Sequence, residues 1–101
     1  MQLRPGVAID QEVLADFAAR HGIRRLSAFG SVLRPDFEDD SDVDLLVEFE
    51  PDRVPGLFGI AAMELELSGI LDREVDLRTY GDLSRYFRDQ VRDTAVALYA
   101  A

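Results

Sequence analysis

The apolar positions at the start of the chain recur at helical spacing. Ile9, Val13, Leu14, Phe17, Ala18 and His21 fall on one stripe, Asp10 is placed to cap its start, and Gly22 stands where a helix stops. This pattern predicts a helix over 9–21. Arg25-Leu26-Ser27-Ala28-Phe29, bounded by Gly30-Ser31, reads as a short strand. Residues 31–40 follow as a short helix or turn running into a polar loop around Pro35-Asp36. From Asp42 to Phe49 the chain alternates: Val43, Leu45, Val47 and Phe49 point one way, and Asp42, Asp44, Leu46 and Glu48 the other. After a Pro-flanked loop at 51–55, Leu57 to Leu71 predicts a second helix. Its stripe is made by Leu57, Ile60, Ala61, Met63 or Glu64, Leu67 and Leu71. Asp72-Arg73 turns into a strand over Glu74–Arg78, with Val75 and Leu77 inward. Asp82 to Tyr99 predicts a last amphipathic helix carrying Leu83, Tyr86, Phe87, Val91, Ala95 and Leu98, with Tyr86, Phe87 and Val91 as core.

The expected order is therefore α-β-α-β-α-β-α. That is an α/β fold with a small mixed three-stranded sheet flanked by helices and strand 42–49 at its centre. The connection over 30–42 is short enough to join antiparallel neighbours. At 101 residues the chain has room for one domain spanning 1–101, and with 48% hydrophobic residues it can bury a core. Cysteine is absent, which removes disulfides, thiolate metal sites and a Cys nucleophile, and favours a reducing compartment. No stretch approaches the roughly 20 apolar residues of a membrane span. The expectation is a soluble, cytoplasmic protein.

Charge changes the picture. The net charge is −9, and Asp36, Glu38, Asp39, Asp40, Asp42, Asp44, Glu48, Glu50 and Asp52 stand between Pro35 and Asp52 with no basic residue among them. Crowding like charges costs free energy unless solvent or a counter-ion relieves it. An acidic chain is also a poor binder of a phosphate backbone, so direct nucleic-acid binding is not expected. All 11 basic residues are Arg, which excludes a catalytic lysine.

Asp42 and Asp44 lie two residues apart on the best-defined strand. Period-two geometry puts both carboxylates on one face, about 6.6 Å apart along the backbone. Asp76 faces outward on its own strand. If the two strands are neighbours, three carboxylates meet on one surface: hard oxygen ligands for two divalent ions about 3.5–4 Å apart, as phosphoryl transfer requires. A calcium loop over Asp40, Asp42 and Asp44 fails, because Leu45 stands where the turn needs Gly and Pro51 where it needs Glu. A lone D-x-D also serves to solvate an exposed sheet face. Gly30-Ser31, by itself an ordinary turn, lets backbone approach a ligand and offers a hydroxyl and N–H to phosphate.

The joint pattern, Gly30-Ser31, ten residues, Asp42-Val43-Asp44 and then a strand-borne Asp76, resembles the nucleotidyltransferase superfamily of DNA polymerase beta. The stretch FGSVLRPDFEDDSDVDLLVEF is similar to the minimal nucleotidyltransferases, the MntA-type antitoxins paired with HEPN-domain HepT toxins. The resemblance implies that Gly30 and Ser31 hold the triphosphate of ATP, with Arg34 at a commonly basic position. It implies that Asp42 and Asp44 ligate two Mg²⁺ ions, and that Asp76 ligates the catalytic one and helps deprotonate the attacking hydroxyl. The implied acceptor is a tyrosine of a HepT-type toxin, which becomes AMPylated. The chain departs from many relatives at Val32, where they carry Arg directly after Gly-Ser.

Two further readings stay open at this level: an antitoxin that neutralises its toxin by binding alone, and a small-molecule nucleotidyltransferase of the aminoglycoside type. The latter usually carries an added helical domain. His21 lies on the apolar stripe of the first helix, where packing or the helix C-terminus accounts for it.

Overall fold

A computed structural model describes residues 2–4, 7–38 and 41–101. The chain opens with a small antiparallel hairpin, β1 (Gln2–Arg4) and β2 (Val7–Ala8). Helix α1 (Gln11–Arg20) begins where the sequence places it: the Asp10 carboxylate accepts from the backbone N–H groups of Glu12 and Val13 at 3.0 and 3.2 Å. Leu14, Phe17 and Ala18 are its buried stripe. The His21 ring packs 4.6 Å from that of Phe17, and Gly22 (φ +67°) turns the chain into β3 (Ile23–Phe29). An ideal Cβ on Gly22 would fall 2.5 Å from Arg53 Cβ, so this turn needs glycine twice over.

A 3-10 turn over Gly30–Leu33 leads to β4 (Val43–Phe49), the predicted central strand. Helix α2 (Leu57–Leu71) keeps the predicted bounds, followed by β5 (Val75–Thr79). α1 packs on β3 and β6, and α2 on β5, over a core that includes Val43, Leu45, Val47, Val75 and Leu77. Inside α2 the stripe is narrower than predicted. Met63, Leu67 and Leu71 are buried, but Leu57 is 82% exposed and Ala61 faces solvent.

The C-terminal helix is the main correction. In place of one helix over 82–99 there is a 3-10 turn at Tyr80–Asp82, a short α3 (Arg88–Thr94) and a strand, β6 (Val96–Ala100). The sheet therefore has four strands in the order β5-β4-β3-β6, mixed as expected: β4 and β6 run antiparallel to β3, and β5 parallel to β4. The reason is that the outer edge of β3 carries backbone groups that need partners. Residues 96–100 supply them, with Ser27 opposite Ala97 and Leu26 opposite Tyr99. Leu98, seven residues after Val91, is buried from the strand instead of from a helix. Tyr86 and Phe87, expected in the core, are 84% and 50% exposed.

β5 is the other edge. Its Val75, Leu77 and Thr79 N–H groups donate to side chains, Ser68 Oγ (3.1 Å), Glu64 Oε2 (2.7 Å) and Asp82 Oδ2 (3.1 Å) respectively. No helix among the described residues is long and apolar enough to cross a membrane.

Candidate active site

The register of β4 and β5 decides the geometry. Asp44 stands directly opposite Asp76, and the next pair on that face is the buried Leu46 opposite Arg78. Period two then puts both carboxylates on the face turned away from the Val43–Leu45–Val47 core. Asp42 precedes β4 and is exposed, whereas Asp44 and Asp76 are half-buried. Asp44 feels both of the others. Partial burial raises its pKa above the usual carboxylate range, and the like charges of Asp76 and Asp42 push it further the same way. Arg78 and Arg34 oppose that rise.

Gly30 and Ser31 come to the same place from the end of β3, where Phe29 pairs with Asp44. Gly30 adopts φ +75°, and an ideal Cβ there would lie 2.7 Å from Asp44 Oδ2. A side chain would collide with the carboxylate as well as strain the backbone. Ser31 Oγ donates to the backbone carbonyl of Asp42 at 3.4 Å, linking the turn to the strand entry. Arg34 ends the turn, its backbone N–H donating to the Ser31 carbonyl at 2.9 Å and its guanidinium 3.5 Å from Asp36. Val32, which follows the Gly-Ser pair, is 2% exposed and belongs to the core, so its side chain does not reach a ligand here.

Asp76 already has a cation beside it: Arg78 donates to its Oδ2 at 2.9 Å. In this arrangement no three acidic or His side chains among the described residues form a ready ion cage. Arg78 was given no role in the sequence reading, although alternation in Asp76-Leu77-Arg78 puts both residues on one strand face. Asp39 and Asp40 of the acidic run lie outside the described residues, and with them the calcium-loop comparison at Asp40. His21 has a structural role, its Nε2 lying 3.1 Å from Glu66 Oε1 between α1 and α2.

Chemically, the arrangement sets three oxygen-donor side chains beside a glycine turn with exposed backbone and two arginines, Arg34 and Arg78. That combination suits a polyphosphate and the cations that accompany it.

Known proteins bear on the same residues. The family model for the nucleotidyltransferase domain matches residues 11–98. The chain is 35% identical over 77 residues to a protein assigned as an adenylyltransferase in Methanocaldococcus jannaschii, covering 76% of this chain and 81% of that protein. It is 41% identical over 58 residues to the protein adenylyltransferase MntA of Thermococcus cleftensis, covering 57% of each. A solved chain described as a minimal nucleotidyltransferase superposes with a TM-score of 0.69 at 40% identity, covering 85% of this chain and 86% of its own. At 18% identity the likeness is one of fold alone for the structure of a tri-AMPylated Shewanella oneidensis HEPN toxin in complex with its MNT antitoxin (TM-score 0.63, 90% and 70% covered). The four-stranded sheet, the Gly30-Ser31 turn against Asp44 and a match over nearly the whole chain agree, and the protein belongs to the nucleotidyltransferase family as a transferase of nucleotidyl groups.

Proposed function

We propose that the protein is an Mg²⁺-dependent adenylyltransferase that moves AMP from ATP to a tyrosine hydroxyl of a HEPN/HepT-type toxin, and so acts as its antitoxin. The observation that supports this reading is the electrostatic coupling of Asp44 to both Asp76 and Asp42, with Asp44 against Gly30. The donor set fits hard divalent cations: all oxygen, all acidic, and mutually repulsive as they stand. Bound there, the ions supply charge neutralisation for the triphosphate and lower the cost of ionising the attacking hydroxyl.

The side chains divide the remaining work. Asp42 and Asp44 would hold the cations. Gly30 and Ser31 present backbone and hydroxyl groups to the leaving pyrophosphate, and Arg34 adds charge there. Asp76 sits on the acceptor side, where its carboxylate takes the proton of the incoming hydroxyl once Arg78 releases it. The hydroxyl oxygen bonds to the α-phosphorus, the bond from that phosphorus to the bridging oxygen breaks, and pyrophosphate departs with the electron pair.

A protein acceptor is favoured by the surface of α2. Phe58 and Leu65, seven residues apart, are 89% and 78% exposed. Large apolar side chains repeated on one helix face mark a contact for another macromolecule. The full chain, incubated with the product of its neighbouring reading frame, Mg²⁺ and ATP, is expected to add an AMP increment to that product's intact mass. Asp42→Asn and Asp44→Asn are each expected to slow transfer by at least about a hundredfold while leaving the circular dichroism spectrum unchanged. Undiminished labelling by the Asp42→Asn/Asp44→Asn protein would overturn the reading. Protection without ATP would favour neutralisation by binding alone.

A further inference from the structure

Alongside the glycine turn runs a cleft of about 660 Å³ that the aspartates do not account for. Gly30 and Arg34 belong to its lining, together with the apolar residues Phe29, Leu33, Phe87 and Val91. Leu33 and Phe87 are 39% and 50% exposed, so apolar surface, including the Phe87 ring that the sequence pattern assigns to the core, stands in water around a concavity. The volume is in the range of small-molecule sites. With aromatic walls and a cationic side chain in one lining, the cleft mirrors a nucleotide, which has a flat apolar base and an anionic tail.

We infer that this cleft receives the purine base of the nucleotide donor and that Gln90 selects adenine over guanine. The inference rests on the nucleotidyl-transfer reading given above. With phosphates at Gly30, the base extends between Phe29 and Phe87. Stacking on those rings accepts any base, so discrimination falls to a polar lining group. Thr94 is committed, its hydroxyl donating to the Gln90 backbone carbonyl at 2.8 Å. Gln90 belongs to the cleft lining, and its side-chain amide has no hydrogen-bond partner among the described residues. Its amide group donates to adenine N7 and its carbonyl accepts from the exocyclic amine. Guanine offers two acceptors on that edge and leaves the Gln90 carbonyl unpaired.

The test is calorimetric titration of the full chain with non-hydrolysable ATP and GTP analogues in Mg²⁺, which needs no acceptor. The unaltered protein is expected to bind the ATP analogue more tightly. Gln90→Ala is expected to shrink that preference on the order of tenfold, and Gln90→Arg to turn it toward GTP, because a guanidinium pairs both guanine acceptors. Phe87→Ala is expected to weaken both analogues alike, on the order of tenfold. Gln90 and Phe87 are both on the surface, and circular dichroism reports whether each variant keeps its fold. Analogue binding with a base preference untouched by the Gln90 variants overturns the assignment of Gln90 alone. Unchanged binding in Phe87→Ala overturns the cleft itself, and failure of both analogues to bind the unaltered protein overturns this inference together with the reading beneath it.

Discussion

Asp44 is held where it is least comfortable as an anion. Its pKa is raised by partial burial first and by Asp76 and Asp42 after that, so the folded state binds a proton there more readily than the unfolded chain does. The associated stability is full below the unfolded carboxylate pKa and is lost as pH rises through the folded one. At neutral pH the protein therefore carries Asp44 at a cost. Asp44→Asn is expected to raise the melting temperature in EDTA at pH 7, with the difference closing as pH falls into the acid range. Added Mg²⁺ is expected to stabilise the unaltered protein and not the variant. Thermal denaturation across pH, with and without Mg²⁺, checks both statements. Glu66 pulls the opposite way, its pKa lowered chiefly by the Arg20 hydrogen bond, so its contribution is present at neutral pH and disappears on acidification. At this scale the sequence is informative where strand alternation sets the outcome, as for the shared face of Asp44 and Asp76, while Asp42 lies just ahead of β4. It was silent on Arg78, because an ion pair depends on which rotamers neighbours leave open. The reason for Gly30 was legible as close approach, but its partner proved to be the Asp44 carboxylate.

Helix α2 shows what element boundaries cost when they are not ideal. It ends at Asp72, which adopts φ 54° and ψ 40°, the left-handed region that a residue with a Cβ enters at a penalty. Asp72→Gly is expected to stabilise the protein by about 0.5–1 kcal/mol, read from the midpoint of urea unfolding. Both ends of α2 are legible in the sequence because its apolar run is long and bracketed by the Pro-flanked loop at 51–55 and the Asp72-Arg73 turn. The C-terminal segment was not. Leu83, Phe87, Val91 and Leu98 fit a helical stripe well enough, but Val96-Ala97-Leu98-Tyr99-Ala100 also fits a strand. Which period wins is settled by the unpaired edge of β3, a long-range partner that a local window does not contain. The fourth strand, and the exposure of Phe87 that creates the cleft, both follow from that one choice.

Across the whole molecule, a net charge of −9 and the apolar side chains left on α2 act on different steps of an encounter. The charge speeds approach to a basic partner and weakens with salt, whereas the apolar contact sets how long the complex lasts. Replacing Leu65 by Ser is expected to change folding stability by less than about 0.5 kcal/mol, because the side chain is already in water. The same change is expected to shorten the lifetime of a toxin complex with little effect on its formation rate, as surface plasmon resonance would show. The sheet itself imposes a further condition on that encounter. Because the outer N–H groups of β5 are taken by Ser68, Glu64 and Asp82, no extended peptide can lie down beside Asp76 as a fifth strand. Under the proposed function, an acceptor hydroxyl brought to that carboxylate would have to descend onto the open side of the sheet from a projecting part of its own protein. Substrate choice would then be governed by the shape of a whole folded surface, and a loose peptide carrying the same residues would be a poor substitute.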